Sequence, residues 1–182
     1  VSIFNEVLGP VMHGPSSSHT AASYFIGRLI RNLIDDEPET INITFGEGGS
    51  YAEVYSQQGS DLGFATGLMG WEITEDRFFE SLGQAQDSGL SITFTVNVIA
   101  EDDHPNAIEI NGTSKGGREI RVIARSIGGG AVELRRLNGW VVNITGDAYD
   151  YIVESESHVA SKIAKMLAYG DKKVVEPLIK EK

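Results

Sequence analysis

Alternation of apolar and polar residues is the feature that most narrows what this chain can become. Ile92, Phe94, Val96 and Val98 are separated by single polar residues, as are Ile41, Ile43 and Phe45. Side chains on a strand point alternately to its two faces, so each run is a strand with one face to bury. Ile108 with Ile110, then Ile120, Val122 and Ala124, then Val132 and Leu134 continue the pattern. Asn138-Gly139 is a two-residue hairpin signal that should fold the strand ending near Leu137 back onto residues 140–144. One-faced strands need helices over their apolar side, which makes the expected fold α+β, a mostly antiparallel sheet covered by helices.

Helical spacing supplies the cover. Ala22, Ile26, Leu29, Ile30 and Leu33 fall on one face of a helix beginning near Thr20. Phe78, Leu82 and Ala85 mark a second helix, opened by Thr74 and stopped by Gly89, and residues 50–70 read as two short helices joined near Gly59. A short helix is expected at residues 2–7, a strand at 151–153 and a helix at about 157–169. The expected division is therefore a main domain at 1–149 and a strand-helix tail at 150–182.

The first long helix has an unusual approach, Gly14-Pro15-Ser16-Ser17-Ser18-His19-Thr20. Ser18 or Thr20 alone would cap the helix. Four hydroxyls and an imidazole exceed that need, and the unpaired N–H groups and dipole of a helix start favour an anion. The expected guest of Ser16, Ser17, Ser18 and Thr20 is a carboxylate or phosphate, with His19 as a titratable neighbour. Further on, Glu101-Asp102-Asp103-His104-Pro105-Asn106 follows the clearest strand. Its acidic residues read as a solvated turn rather than a metal site, because neighbours on extended chain point apart. His104 and Asn106, two residues apart, would face one spot. His13 and His158 are expected to be structural or solvent-facing. No nucleophile elbow or Walker loop occurs. A serine-hydrolase reading through Ser17 and His104 lacks an oxyanion hole in the sequence.

The serine loop, with Gly9-Pro10-Val11-Met12 before it, resembles the signature near the start of the beta chain of the iron-sulfur-dependent bacterial L-serine dehydratases. Gly49-Ser50-Tyr51-Ala52-Glu53, Gly59-Ser60-Asp61 and the glycine run Ser126-Ile127-Gly128-Gly129-Gly130 are similar to further blocks of that family, so the resemblance covers roughly residues 2–146. It implies a fold similar to the allosteric substrate-binding domain of some D-3-phosphoglycerate dehydrogenases. It also implies conversion of L-serine to pyruvate and ammonia in a cleft shared with an alpha chain that holds a four-iron four-sulfur (4Fe-4S) cluster, and leaves homo-oligomerisation open. Relatives carry an element like His104-Pro105-Asn106, which makes His104, Asn106 and His19 the expected catalytic group. Many relatives have a histidine where this chain has Gln58. Beta chains often end in a regulatory ACT-type domain, for which the tail is too short; it reads as a remnant or a docking element. The competing function is a regulatory anion-binding module with no catalytic contact.

Composition bears on the partners. A formal net charge of -11 over 182 residues argues against nucleic acid and against anionic membranes. The absence of cysteine means that this chain has no thiolate for a cluster, which assigns the cofactor to the partner. No apolar run approaches a membrane span, and the charges between Arg28 and Glu39 speak against a signal segment, so the cytoplasm is the expected compartment.

Overall fold

The computed structural model describes residues 9–146, together with Asp150, Ile152 and Val159. The helix expected at 2–7 and His158 lie outside these residues; of the strand expected at 151–153 only Ile152 is described, and of the helix expected at 157–169 only Val159. The chain divides into two units, Val1–Asp147 and Ala148–Lys182; the description that follows is of the first.

A π-type turn, Ser17–Ala21, leads into α1, Ala22–Ile34, and then come β1, Pro38–Gly46, and α2, Ser60–Met69. A 3-10 stretch, Asp76–Glu80, precedes α3, Ser81–Asp87, and five strands follow: β2, Ser91–Asn97; β3, Ala107–Ser114; β4, Glu119–Gly128; β5, Ala131–Leu137; and β6, Trp140–Ile144. The sheet order is β2-β1-β3-β4-β5-β6. Only β1 and β2 are parallel, in register from Thr40 opposite Ser91 to Gly46 opposite Asn97; the remaining pairs are antiparallel. The α+β architecture with a mostly antiparallel sheet is thus borne out. Asn138 and Gly139 turn the β5–β6 hairpin at φ 49° and 84°, as their sequence required.

Apolar residues of alternating register meet the helices on one face. Ile26, Ile30 and Ile34 of α1 pack with Ile41, Ile43 and Phe45 of β1, Ile108 and Ile110 of β3, Val122 of β4 and Leu134 of β5. Helices α1 and α2 cross closely because glycines stand at the contact. A Cβ on Gly63 would run into the Thr20 carbonyl oxygen and one on Gly67 into that of Tyr24. The opposite face of the sheet is polar: the hydroxyl of Thr93 donates to the Asn42 side chain at 2.5 Å, and those of Thr44 and Thr95 are bonded at 3.0 Å.

Three local expectations are corrected. Ile92 and Phe94 pack against the core, but Val96 and Val98 are 42% and 67% exposed. β2 is an edge strand, α3 lies on it, and Val98 stands beyond its end, so the alternation outruns the cover. Residues 51–59 form successive turns rather than a helix, with Tyr55 N–H bonding to the Tyr51 carbonyl at 2.9 Å and Ser60 N–H to the Tyr55 carbonyl at 2.7 Å. The segment after Thr74 begins as a 3-10 turn that buries Phe78 before the short α3. Among the described residues no helix is long and apolar enough to cross a membrane.

Candidate active site

Parallel pairing of β1 and β2 sends their C-terminal connections off the same end of the sheet. The first carries Gly49 and Ser50, the second His104 and Asn106. β3 begins at this end with Ala107, paired to Arg125 of β4, so Ser126 arrives there as well. A register irregularity follows Ser126 at once, and such bulges re-aim side chains. Residues 16–20, at the start of α1, complete the group.

The serine loop is fixed to this end by its own main chain. The Ser18 carbonyl accepts hydrogen bonds from the Tyr51 phenol and the Ser126 hydroxyl, both at 2.7 Å. Tyr51 is 1% exposed, and burial pushes its phenol up to about 12, against the lowering effect of the Ser126 and Ser23 hydroxyls. It therefore remains a donor at any ordinary pH. Ser16, rather than Ser18 or Thr20, is the cap: its hydroxyl accepts from the His19 N–H at 3.3 Å. Thr20, fully buried, donates its hydroxyl proton to the Gln58 carbonyl at 2.5 Å. Position 58 thus serves through its backbone, which any side chain there would supply. Among the described residues nothing pairs with the N–H groups of Ser17 and Ser18.

His19 is held from two sides. Its Nδ1 lies 3.1 Å from both the Ser16 and the Ser18 hydroxyl, and its Nε2 lies 3.2 Å from the Ser50 carbonyl and 3.3 Å from the Ser50 hydroxyl. The ring packs against Tyr51 with centroids 4.5 Å apart. Ser50 in turn donates to the Asn106 side-chain oxygen in a short hydrogen bond, and the Asn106 amide donates to the Ser126 carbonyl at 3.4 Å. Gly49 allows this approach, since a Cβ there would occupy the place of the Pro105 carbonyl oxygen. The structure thus links Ser16, Ser18, His19 and Asn106 in one network and puts Thr20 behind it. Among the described residues no hydrogen bond joins the Ser17 hydroxyl to the network.

His104 sits at the rim, half-buried, with Nδ1 accepting the Asn106 N–H at 3.1 Å. Of the acidic residues before it, Glu101 and Asp103 are exposed as a solvated turn requires, but Asp102 is not. Asp102, its side chain 2% exposed, accepts the single Arg125 Nε–H, shared between its two oxygens at 2.7 and 3.0 Å, and the His104 N–H at 2.9 Å. Burial raises this carboxyl, but Arg125 and the His104 N–H outweigh it and hold Asp102 below its ordinary value. Glu101 pairs with Arg121 at 2.5 Å and Arg136 at 3.1 Å, and Ile99 packs on Ala107 and Ile123. The loop is thereby clamped to the polar face of the sheet. His13 is structural, as expected: it bonds the Thr74 carbonyl at 3.0 Å and lies against Phe78 and Phe79.

No family model matches the chain. A probable L-serine dehydratase beta chain of Bacillus subtilis (strain 168) is 38% identical over 146 residues, 80% of this chain and 64% of that one. The L-serine dehydratase beta chain of Peptoniphilus asaccharolyticus is 32% identical over 164 residues, covering 89% of this chain and 73% of the relative. The chain belongs to the L-serine dehydratase beta chain family. It spans less than two thirds of the Bacillus relative's length.

Membership bears out the resemblance read from the serine loop and the glycine run. What the sequence did not assign to the network is Ser50, Tyr51 and Ser126. Each lies in a block that already resembled the family, so the signal was present but carried no role. As for the cofactor, this chain's residues do not fit an iron-sulfur cluster. The sequence has no cysteine, and no cluster of three His, Asp or Glu able to hold a metal occurs among the described residues.

Proposed function

We propose that this chain is the beta subunit of an L-serine dehydratase and lines a cleft with an alpha chain, which holds the 4Fe-4S cluster, for the conversion of L-serine to pyruvate and ammonia. The observation that carries the reading is the convergence of the serine loop, Ser50, Asn106 and Ser126 at one end of the sheet. A structural helix start has no use for such a network. The Ser17 and Ser18 N–H groups and the positive end of α1 suit the substrate carboxylate, and the loop hydroxyls add charge-assisted bonds. Thr20, Tyr51 and Ser126 keep the loop in place for that contact, while His104 presents Nε2 at the rim. Aqueous assembly in the cytoplasm is part of the same reading.

The test is anaerobic co-expression with the alpha chain of the same organism. The pair should form pyruvate from L-serine, and this chain alone should show neither turnover nor cluster absorbance. In the pair, Ser18→Ala should weaken serine binding, a lost bond to a charged group costing about 1.5 to 3 kcal/mol. His104→Ala should lower kcat more than it raises KM. Wild-type kinetics in both variants would mean that this face makes no catalytic contact, and a regulatory anion-binding role would replace the proposal.

A further inference from the structure

The hydrogen bonds around Asn106 have a direction that can be followed atom by atom. The Ser126 carbonyl only accepts, so the Asn106 side chain must turn its NH2 toward it and its oxygen toward Ser50. That oxygen also only accepts, which commits the single hydroxyl proton of Ser50 to Asn106. Ser50 then faces His19 with two acceptors, its carbonyl at 3.2 Å and its hydroxyl oxygen at 3.3 Å. Nε2 of His19 must therefore carry a proton. In a neutral imidazole this leaves Nδ1 as a lone pair, directed at the hydroxyls of Ser16 and Ser18. His104 meets the same residue through the main chain: the Asn106 N–H donates to its Nδ1, so its neutral form also carries the proton on Nε2. Among the described residues no partner meets that N–H.

We infer that Asn106, with Ser50, is a positioning residue that fixes both imidazoles as Nε2–H tautomers of opposite use, His19 as the proton-accepting group of the serine loop and His104 as a hydrogen-bond donor at the rim. The catalytic meaning rests on the proposed function; the tautomers do not. His19 takes a proton at Nδ1 through a loop hydroxyl, becomes imidazolium, and returns the proton by the same route. His104 stabilises negative charge that develops on a bound ligand, since its Nδ1 is already engaged by a donor.

The experiment is long-range proton–nitrogen correlation NMR on the full chain labelled with 15N-histidine, at about pH 8.5, where an ordinary imidazole is neutral. His19→Gln and His104→Gln assign the signals. Wild type should show both residues as Nε2–H, and Nδ1–H or an even mixture at either would overturn the inference without any appeal to activity. Asn106→Leu frees the Ser50 proton to approach Nε2 and should move the His19 tautomer ratio about three- to tenfold toward Nδ1–H, the effect of one hydrogen bond. Adding Ser50→Ala should reverse that shift, while an unchanged ratio in Asn106→Leu would remove Asn106 from the device. Unimpaired turnover of His19→Gln with the alpha chain would instead refute the functional reading and leave the tautomers standing.

Discussion

Replacing Arg125 by methionine is the sharpest test of how the His104 loop is held. The Asp102 side chain is 2% exposed and accepts the Arg125 Nε–H across both its oxygens, with the His104 N–H as its other donor. Methionine fills much of the arginine stem's volume but leaves a buried carboxylate without its counter-charge. Breaking such a pair costs about 3 to 5 kcal/mol, and the lower end applies here because Arg125 is itself 25% exposed. The sign of the pH dependence follows. In wild type the folded value of Asp102 is depressed, so its contribution is complete above the unfolded value of about 3.9 and is lost as pH falls through the folded one. In Arg125→Met burial dominates and raises the carboxyl, so the folded variant gains protons first as pH falls. Urea unfolding should show a deficit of about 3 kcal/mol at pH 7 that narrows steadily toward pH 4. Adding Asp102→Asn should recover more than half of it. A deficit below about 1 kcal/mol at pH 7, or one that does not change with pH, would refute the clamp.

Tyr51, with a folded value of about 12, keeps its proton when the unfolded phenol loses it near 10. Its contribution is therefore lost as pH rises from about 10 to 12, by up to roughly 2.7 kcal/mol, and Tyr51→Phe should be less alkali-sensitive than wild type by that amount in chemical denaturation. An identical alkaline limb in the two proteins would count against a buried phenol. Gly67→Ala should lower stability by about 1 to 3 kcal/mol or more, since its Cβ meets the Tyr24 carbonyl and lies 2.9 Å from the Arg28 nitrogen. Gly83→Ala, in α3 with nothing within 4 Å of the added carbon, should raise stability by about 0.5 to 1 kcal/mol, and thermal melts of the pair separate close packing from helix propensity.

What the sequence revealed depended on how local each signal was. Ile41, Ile43 and Phe45 declared a buried face because every other residue on a strand shares one, and Asn138-Gly139 declared its hairpin because few other pairs adopt positive φ so readily. Val96 and Val98 carry the same alternation yet face solvent, since apolar spacing does not say which strand lies at the edge or where α3 stops covering it. The serine loop was legible as a helix start, but the π-type turn was not, as it depends on which carbonyl the Ala21 N–H reaches. Ser50 and Ser126 became partners of His19 and Ser18 only through tertiary pairing. Likewise Asp102 looked solvated until β4 brought Arg125 beneath it.

The bond between the Ser18 carbonyl and the Ser126 hydroxyl closes a span of 108 residues. The entropy of closing so long a loop is repaid only by contacts that already hold its ends together, here the sheet and α1. The network around His19 is consequently expected to form late in folding, after the barrier rather than at it. Substitutions at Ser126, Ser50 or Asn106 should speed unfolding and leave the folding rate nearly unchanged, so the lifetime of the native chain, more than its ability to fold, is what this end of the sheet controls.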